Sequence, residues 1–337
     1  MKTILKILGV LIVLVVAAAL LLPVLFKDDL VKMAKEEANK SLDAEVDFGE
    51  FDLSLISSFP NFMFEISDVS VKNTGDFQGT ELAKIGKLEL EVDLMSVIKG
   101  EKININTIGL TDAYVHVIVE ENGAANYDIA PTDTTAEEEP EGEEPSEEVA
   151  FKAGLKSYFL KNINVIYDDR EGDMYAEIKA LDHEGTGDFT QDVFELMTKT
   201  NIESLTYKME GVKYMNQAAI HIDFDTEIDM LNSKYTFKKN AFTINDLVLN
   251  LDGWVAMPTD DIEMDLTFAA PSNSFRSVLS LVPGVFLEGF EDLKTSGSFA
   301  LNGMAKGVYT DDALPAFKLA LKGDEGKVQY PDVPKAI

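Results

Sequence analysis

Cysteine is absent from all 337 residues, tryptophan occurs once, histidine three times, and Lys plus Arg number 29 against 60 Asp plus Glu. Without cysteine there is no disulfide, no thiolate nucleophile, no iron–sulfur ligation and no Cys-type zinc site. The absence fits both oxidising and reducing compartments. The shortage of cations leaves a formal net charge of −31. Such a surface repels phosphate backbones and anionic headgroups at long range, which argues against a nucleic-acid partner. His116, His183 and His221 lie in separate segments with no HExxH-type spacing, so a histidine metal centre has no local basis. Also missing are G-x-S-x-G, a Walker loop and a G-x-G-x-x-G following a strand, the signatures of hydrolase elbows and nucleotide sites. Carboxylate pairs for glycoside hydrolysis cannot be picked out of so many acids by sequence spacing. The best cation candidate is Asp168, Asp169, Glu171 and Asp173 around Gly172, but the EF-hand spacing is absent and a solvated hairpin loop is the simpler reading. The expectation is a non-enzyme without a cofactor or metal.

What is present begins with a long apolar run. Residues 7–26 read ILGVLIVLVVAAALLLPVLF without a charge, and at 1.5 Å per residue they match the ~30 Å hydrocarbon core of a bilayer. Lys2 and Lys6 precede the run while Asp28 and Asp29 follow Lys27, so the positive-inside rule predicts a cytoplasmic N-terminus and everything after about residue 27 on the far side. A cleavable signal peptide competes, with Ala17 to Ala19 as small residues near a cleavage site, but the run stays apolar through Phe26 where a polar region is required. From Asp28 to Leu42, apolar Leu30, Val31, Ala34, Ala38 and Leu42 recur at helical spacing. This predicts a short amphipathic helix, either a membrane-surface element or a cap packed on the end of a sheet.

From Glu45 the period becomes two. Val46 and Phe48, then Phe51, Leu53 and Leu55, then Phe62, Phe64 and Ile66, then Val69 and Val71, alternate with polar residues, broken by turns at 57–61 and 73–79. Leu88, Leu90, Val92 and Leu94 come next, then Ile103 and Ile105, then Val115, Val117 and Val119 up to the Glu121-Asn122-Gly123 turn. Residues 132–149 are acidic, proline-containing and aperiodic, which predicts a disordered loop. Beyond it strands resume at Ile163 and Val165, Tyr175 to Ile178, His221 to Met230, Phe242 to Leu251 and Ile262 to Phe268, with short helices expected at 191–199 and, capped by Ser274, at 274–281. The chain thus divides into four segments: residues 1–27 (N-terminus and anchor), 28–131 (helix and first strands), the loop at 132–149, and 150–337 (continuation of the strands).

Strands with one apolar face need a cover, and either a second layer closes a dry core or the face stays open as a groove. An open groove can hold acyl chains: at ~25 cal/mol per Å2, burying a dozen methylenes is worth roughly 10 kcal/mol before ordering costs. Alternation alone does not separate the two.

The helix and first strands, KDDLVKMAKEEANKSLDAEVDFGEFDLSLISSFPNFMFEISDVSV, with DLMSVIKG at 93–100, NGAANYDI at 122–129 and LPAFKLALKGDEGKVQYPDVPKAI at 314–337, resemble the amino-terminal part of AsmA-family proteins. The resemblance implies a chorein-like start and an elongated, curved antiparallel β-sheet of the bridge-like lipid-transfer type, forming an apolar groove. It implies an inner-membrane-anchored periplasmic protein that binds phospholipid and takes part in lipid transport to, or homeostasis of, the outer membrane, with envelope proteins as further partners. Family members run longer, so the chain is expected to be part of a larger protein. On this reading the groove is lined by Phe62, Phe64, Ile66, Leu88, Leu90, Val92, Leu94, Val115, Val117 and Val119. The alternative is a structural or assembly factor for outer-membrane protein biogenesis that carries no lipid.

Overall fold

A computed structural model describes residues 31–54, 58–99, 104–130, 155–259, 261–274, 277, 294–310 and 313–329. The expected membrane span at 7–26 and the acidic loop at 132–149 lie outside the described residues. Among the described residues, no helix is long and apolar enough to cross a membrane.

Helix α1 covers residues 31–41. Its half-buried positions 31, 35 and 38, continued by 42, recur at 4, 3 and 4 residues, the spacing of one helical face. The helix is tied to the first strand: the Asn39 side chain accepts from Val46 N at 2.9 Å and donates to Val46 O at 2.7 Å, and Lys35 pairs with Asp47 at 2.6 Å. The helix is therefore a cap on the sheet.

The rest is one sheet. β1 (Ala44–Asp47) and β2 (Phe51–Ser54) are short and both pair with β3 (Asn61–Asn73). The order then follows the chain: β4 (Glu81–Asp93), β5 (Ile105–Val119), β6 (Ser157–Asp169), β7 (Met174–Thr186), β8 (Val193–Met209), β9 (Val212–Asp229), β10 (Lys234–Ile244), β11 (Leu247–Ala256), β12 (Ile262–Ser274), β13 (Lys294–Tyr309) and β14 (Ala316–Gln329). All pairings are antiparallel except β5 with β6, which run parallel across residues 120–156. Substantial contacts between the strands join only sheet neighbours, and the one-turn helix α2 (Leu94–Lys99) touches β3 and β4. Among the described residues no strand packs face to face on another, so the sheet is a single open, curved layer.

Three sequence expectations are corrected. Residues 193–199 belong to β8, not a helix; helix-favouring Glu, Leu, Met and Lys mask a period-two pattern in which Phe194 and Leu196 turn one way and Glu195 and Met197 the other. The run Phe242 to Leu251 is two strands, divided at Asn245-Asp246, where Asn245 adopts φ 50°, a conformation Asn tolerates better than most residues. Leu94 opens α2 instead of extending β4: the Asp93 carboxylate accepts the Ser96 N–H at 2.7 Å, an N-cap that ends the strand. Of the helix expected at 274–281, Ser274 and Ser277 are described, and Ser274 Oγ accepts the Ser277 N–H at 3.1 Å as a cap does; the remaining positions lie outside the described residues.

Candidate functional site

Residues paired across neighbouring strands share a face, and residues two apart on one strand share a face. One transverse row runs Phe51, Ile66, Leu88, Leu110, Leu160, His183, Thr200, Ile222, Phe242 and Leu249. A second runs Val46, Val71, Ala83, Val115, Val165, Ile178, Leu205 and Ala218. The rows meet β9 at Ile222 and Ala218, four residues apart in uninterrupted alternation, so they lie on the same face. Phe64, Leu90, Ile108 and Tyr158 form a third row, and Val117, Tyr167, Ala176, Tyr207 and Met215 a fourth. Toward the other edge, Leu251, Phe268, Gly303 and Leu319 continue the face to β14.

Of the ten residues expected to line a groove, nine therefore fall on this face, with Phe62 opposite Val92 near its end and Val119 at its far corner opposite Asp169. Leu94 does not, because it starts α2.

The two faces differ in burial. Along β8 from 193 to 203, odd residues are exposed and even residues half-buried or buried in strict turn. On β9, Ala218 is 1% exposed while its neighbour Ala219 is exposed. With no second layer among the described residues, shielding on the apolar face comes from side chains of adjacent strands crowding one another across the curved sheet. Ile202, Leu205, Met215, Ile222 and Phe242 pack around Ala218, Ile220 and Ile244 in this way.

Keeping one face apolar required a correction that the sequence disguises. Between the first two rows, β3, β4, β5 and β6 each step by three residues, 66 to 69, 88 to 85, 110 to 113 and 160 to 163, which would swap faces in a plain strand. The extra residue is absorbed at Asp68, Asp112 and Asn162, all with φ of 53–55°. β4 crosses the seam at Gly86, where an added Cβ would stand 2.9 Å from the Asp112 Cβ. Asn162 ties the seam together, donating its side-chain N–H to Asp112 and its backbone N–H to the Asp182 carboxylate at 2.7 Å.

The opposite face is charged. Cross-strand pairs Lys87–Glu65, Lys238–Glu227 and Lys306–Asp265 stand at 3.4, 2.9 and 2.6 Å on it. A depression of about 530 Å3 there is lined by Glu184, Lys199, Asp223, Asp225 and Lys239 together with Met197 and Ala241. The acidic cluster at the β6–β7 turn is internally satisfied: Asp169 accepts the Gly172 N–H at 2.8 Å, and Arg170 bridges Asp168 at 3.2 Å and Glu120 at 2.7 Å. Among the described residues no group of acids or histidines is arranged to hold a metal.

Sequence reasoning missed a polar cluster on the apolar face. Tyr158 OH and His183 Nε2 are 3.0 Å apart, and His183 Nδ1 and Thr200 Oγ1 2.8 Å. Burial lowers the His183 pKa below its ordinary value and raises that of Tyr158. The three lie on β6, β7 and β8 with separations of 25 and 17 in sequence, so no local motif announces them.

An open single-layer sheet, apolar along one face and charged along the other, places this chain among proteins built around an extended apolar surface. The AsmA family profile matches residues 1–256, and the chain belongs to the AsmA family. The closing stretch from 314 lies outside that match. No curated protein and no solved structure matches the chain.

Proposed function

We propose that this AsmA-family protein is anchored in the inner membrane by residues 7–26, extends into the periplasm, and holds phospholipid acyl chains on the apolar face of its sheet. The observation that carries this is the apolar face crossing the fourteen-stranded sheet with no covering layer among the described residues. Large uncovered apolar surfaces are costly in water and mark interaction sites. Chains laid along the rows replace water over that surface, while the headgroup stays in solvent, away from the acidic exterior. Transfer toward the outer membrane is then passive sliding along the face, with no catalytic residue.

The test is native mass spectrometry with lipid extraction on the full chain purified from a Gram-negative host. Stoichiometric phospholipid is expected, lost when Phe64, Leu90 and Val117 are together changed to Asp with circular dichroism unchanged. A folded protein free of lipid would sink the carrier reading.

One observation supports a second reading, an assembly factor acting through protein contacts. β14 pairs only with β13 among the described strands and exposes Phe317 at 80%, Leu319 at 61% and Leu321 at 68%. A long apolar edge strand is a template for a partner's strand. Lipid-free protein that co-purifies with an envelope protein, and loses it on Phe317→Asp, would favour this reading.

A further inference from the structure

The Tyr158–His183–Thr200 relay sits among Leu160, Ile202 and Ile222 on the apolar face. Leu160 and Ile222 flank His183 and Thr200 in the same row, and the Tyr158 ring lies over Gly185 beside Phe189. A polar group on such a face costs free energy unless its hydrogen bonds are satisfied.

Counting protons shows what the relay offers. A neutral imidazole carries one N–H and the two hydroxyls carry one proton each, making three donors for two internal hydrogen bonds. If the imidazole proton is on Nδ1, it donates to Thr200 Oγ1, Nε2 accepts from Tyr158, and the Thr200 O–H is left over. If it is on Nε2, it donates to the Tyr158 oxygen, Nδ1 accepts from Thr200, and the Tyr158 O–H is left over. Either tautomer leaves one hydroxyl proton at one end of the relay for an outside acceptor. Burial disfavours the imidazolium, which would add a second spare proton.

On this face the hydroxyls of Tyr167, Tyr207 and Thr198 donate to protein groups, whereas the one spare proton of the relay matches a ligand with a long apolar body and an isolated uncharged acceptor. We propose that the relay is a carbonyl-binding notch that receives the ester carbonyl oxygen of an acyl chain and so fixes where a lipid pauses along the face. The inference rests on the acyl-binding reading above.

A competition separates the two. The full chain in detergent is offered equal amounts of a diacyl phosphatidylethanolamine and its dialkyl ether analogue, which has the same chains and headgroup but no carbonyls, and the adducts are resolved by native mass spectrometry. One hydrogen bond predicts preference for the ester lipid by about fivefold. Tyr158→Phe combined with Thr200→Val should bring the ratio to parity while both lipids still bind. Should the variant misfold, the wild type alone decides through a carbon-13-labelled ester carbonyl, whose infrared stretch should move to lower frequency on binding. Equal binding of the two lipids by the wild type, or an unshifted carbonyl, overturns the notch and leaves the acyl-binding reading intact. Binding of neither lipid overturns both.

Discussion

Ala218 and Ala219 are adjacent, identical and on one strand, yet one is 1% exposed and the other open to water. The difference between them is the difference between the two faces of the sheet. One face gathers Val, Ile, Leu and Phe from every strand; the other gathers Lys and acids in pairs such as Lys306–Asp265, whose side chains are 61% and 38% exposed. Exposed ion pairs contribute at most about 1 kcal/mol each, so the charged face keeps the sheet soluble and resists pairing with other chains more than it stabilises the fold. Cohesion beyond the backbone ladder is concentrated on the apolar face, the face proposed above to hold acyl chains.

The largest effect should come from the two alanines. Ala218→Asp places a carboxylate among Ile220, Leu205 and Ile244 and should cost about 3 kcal/mol or more. Ala219→Asp should change stability by less than about 1 kcal/mol, mostly through the poor strand propensity of Asp. Urea unfolding of the pair measures the contrast. Similar losses in the two variants would mean that the faces are not energetically distinct.

Glycine under aromatic rings tests whether the comparison is too simple. Phe268 lies over Gly303 on the apolar face, but Phe159 lies over Gly109 on the charged one, and in each case an added methyl would enter the ring. Gly109→Ala and Gly303→Ala should each cost about 1–3 kcal/mol by displacing the aromatic side chain. If only Gly303→Ala destabilises, packing is confined to the apolar face; equal losses show that the charged face also holds a packed site at Phe159.

A smaller effect is expected at a separate bulge on β9, between Met215 and Ala218. Gln217 has φ 55° on β9, in the same left-handed region as Asp68, Asp112 and Asn162. Gln217→Val should cost about 1–2 kcal/mol, because a β-branched side chain is poorly tolerated there, whereas Gln217→Gly should stay within about 0.5 kcal/mol of the parent. Equal stability of the two in thermal melts would mean that the left-handed backbone at this bulge carries no strain for a β-branched residue.

Much of this was legible in the sequence, and the failures have physical causes. Phe62, Phe64 and Ile66, and Leu88, Leu90 and Val92, announce one face because period two persists between bulges. The step from Ile66 to Val69 reads as a new strand, when it is one strand, β3, passing through Asp68 with φ 53°. Pattern cannot tell a break from a bulge. Nor can it show that β5 and β6 run parallel, since 37 residues between Val119 and Ser157 permit either direction. The relay was hidden for a different reason: Tyr158, His183 and Thr200 meet only through register, and each alone looks like an ordinary strand residue.

The smallest effect concerns pH, and it returns to the apolar face through His183. Burial holds its folded-state pKa below the ordinary 6.5, so the unfolded chain takes up a proton before the folded one does. The neutral residue's contribution to stability is then fully present above about pH 6.5 and declines as pH falls from there toward the depressed folded value. Most carboxylates titrate lower, near pH 4, which leaves a window between about pH 6.5 and 5 in which His183 contributes to the slope. Urea midpoints of the parent should fall across that window more than those of His183→Gln, which keeps polar atoms at the position but does not titrate. Matching slopes in the two proteins would mean that imidazolium is as well tolerated there as in water, and that this stretch of the apolar face is as wet as the charged one.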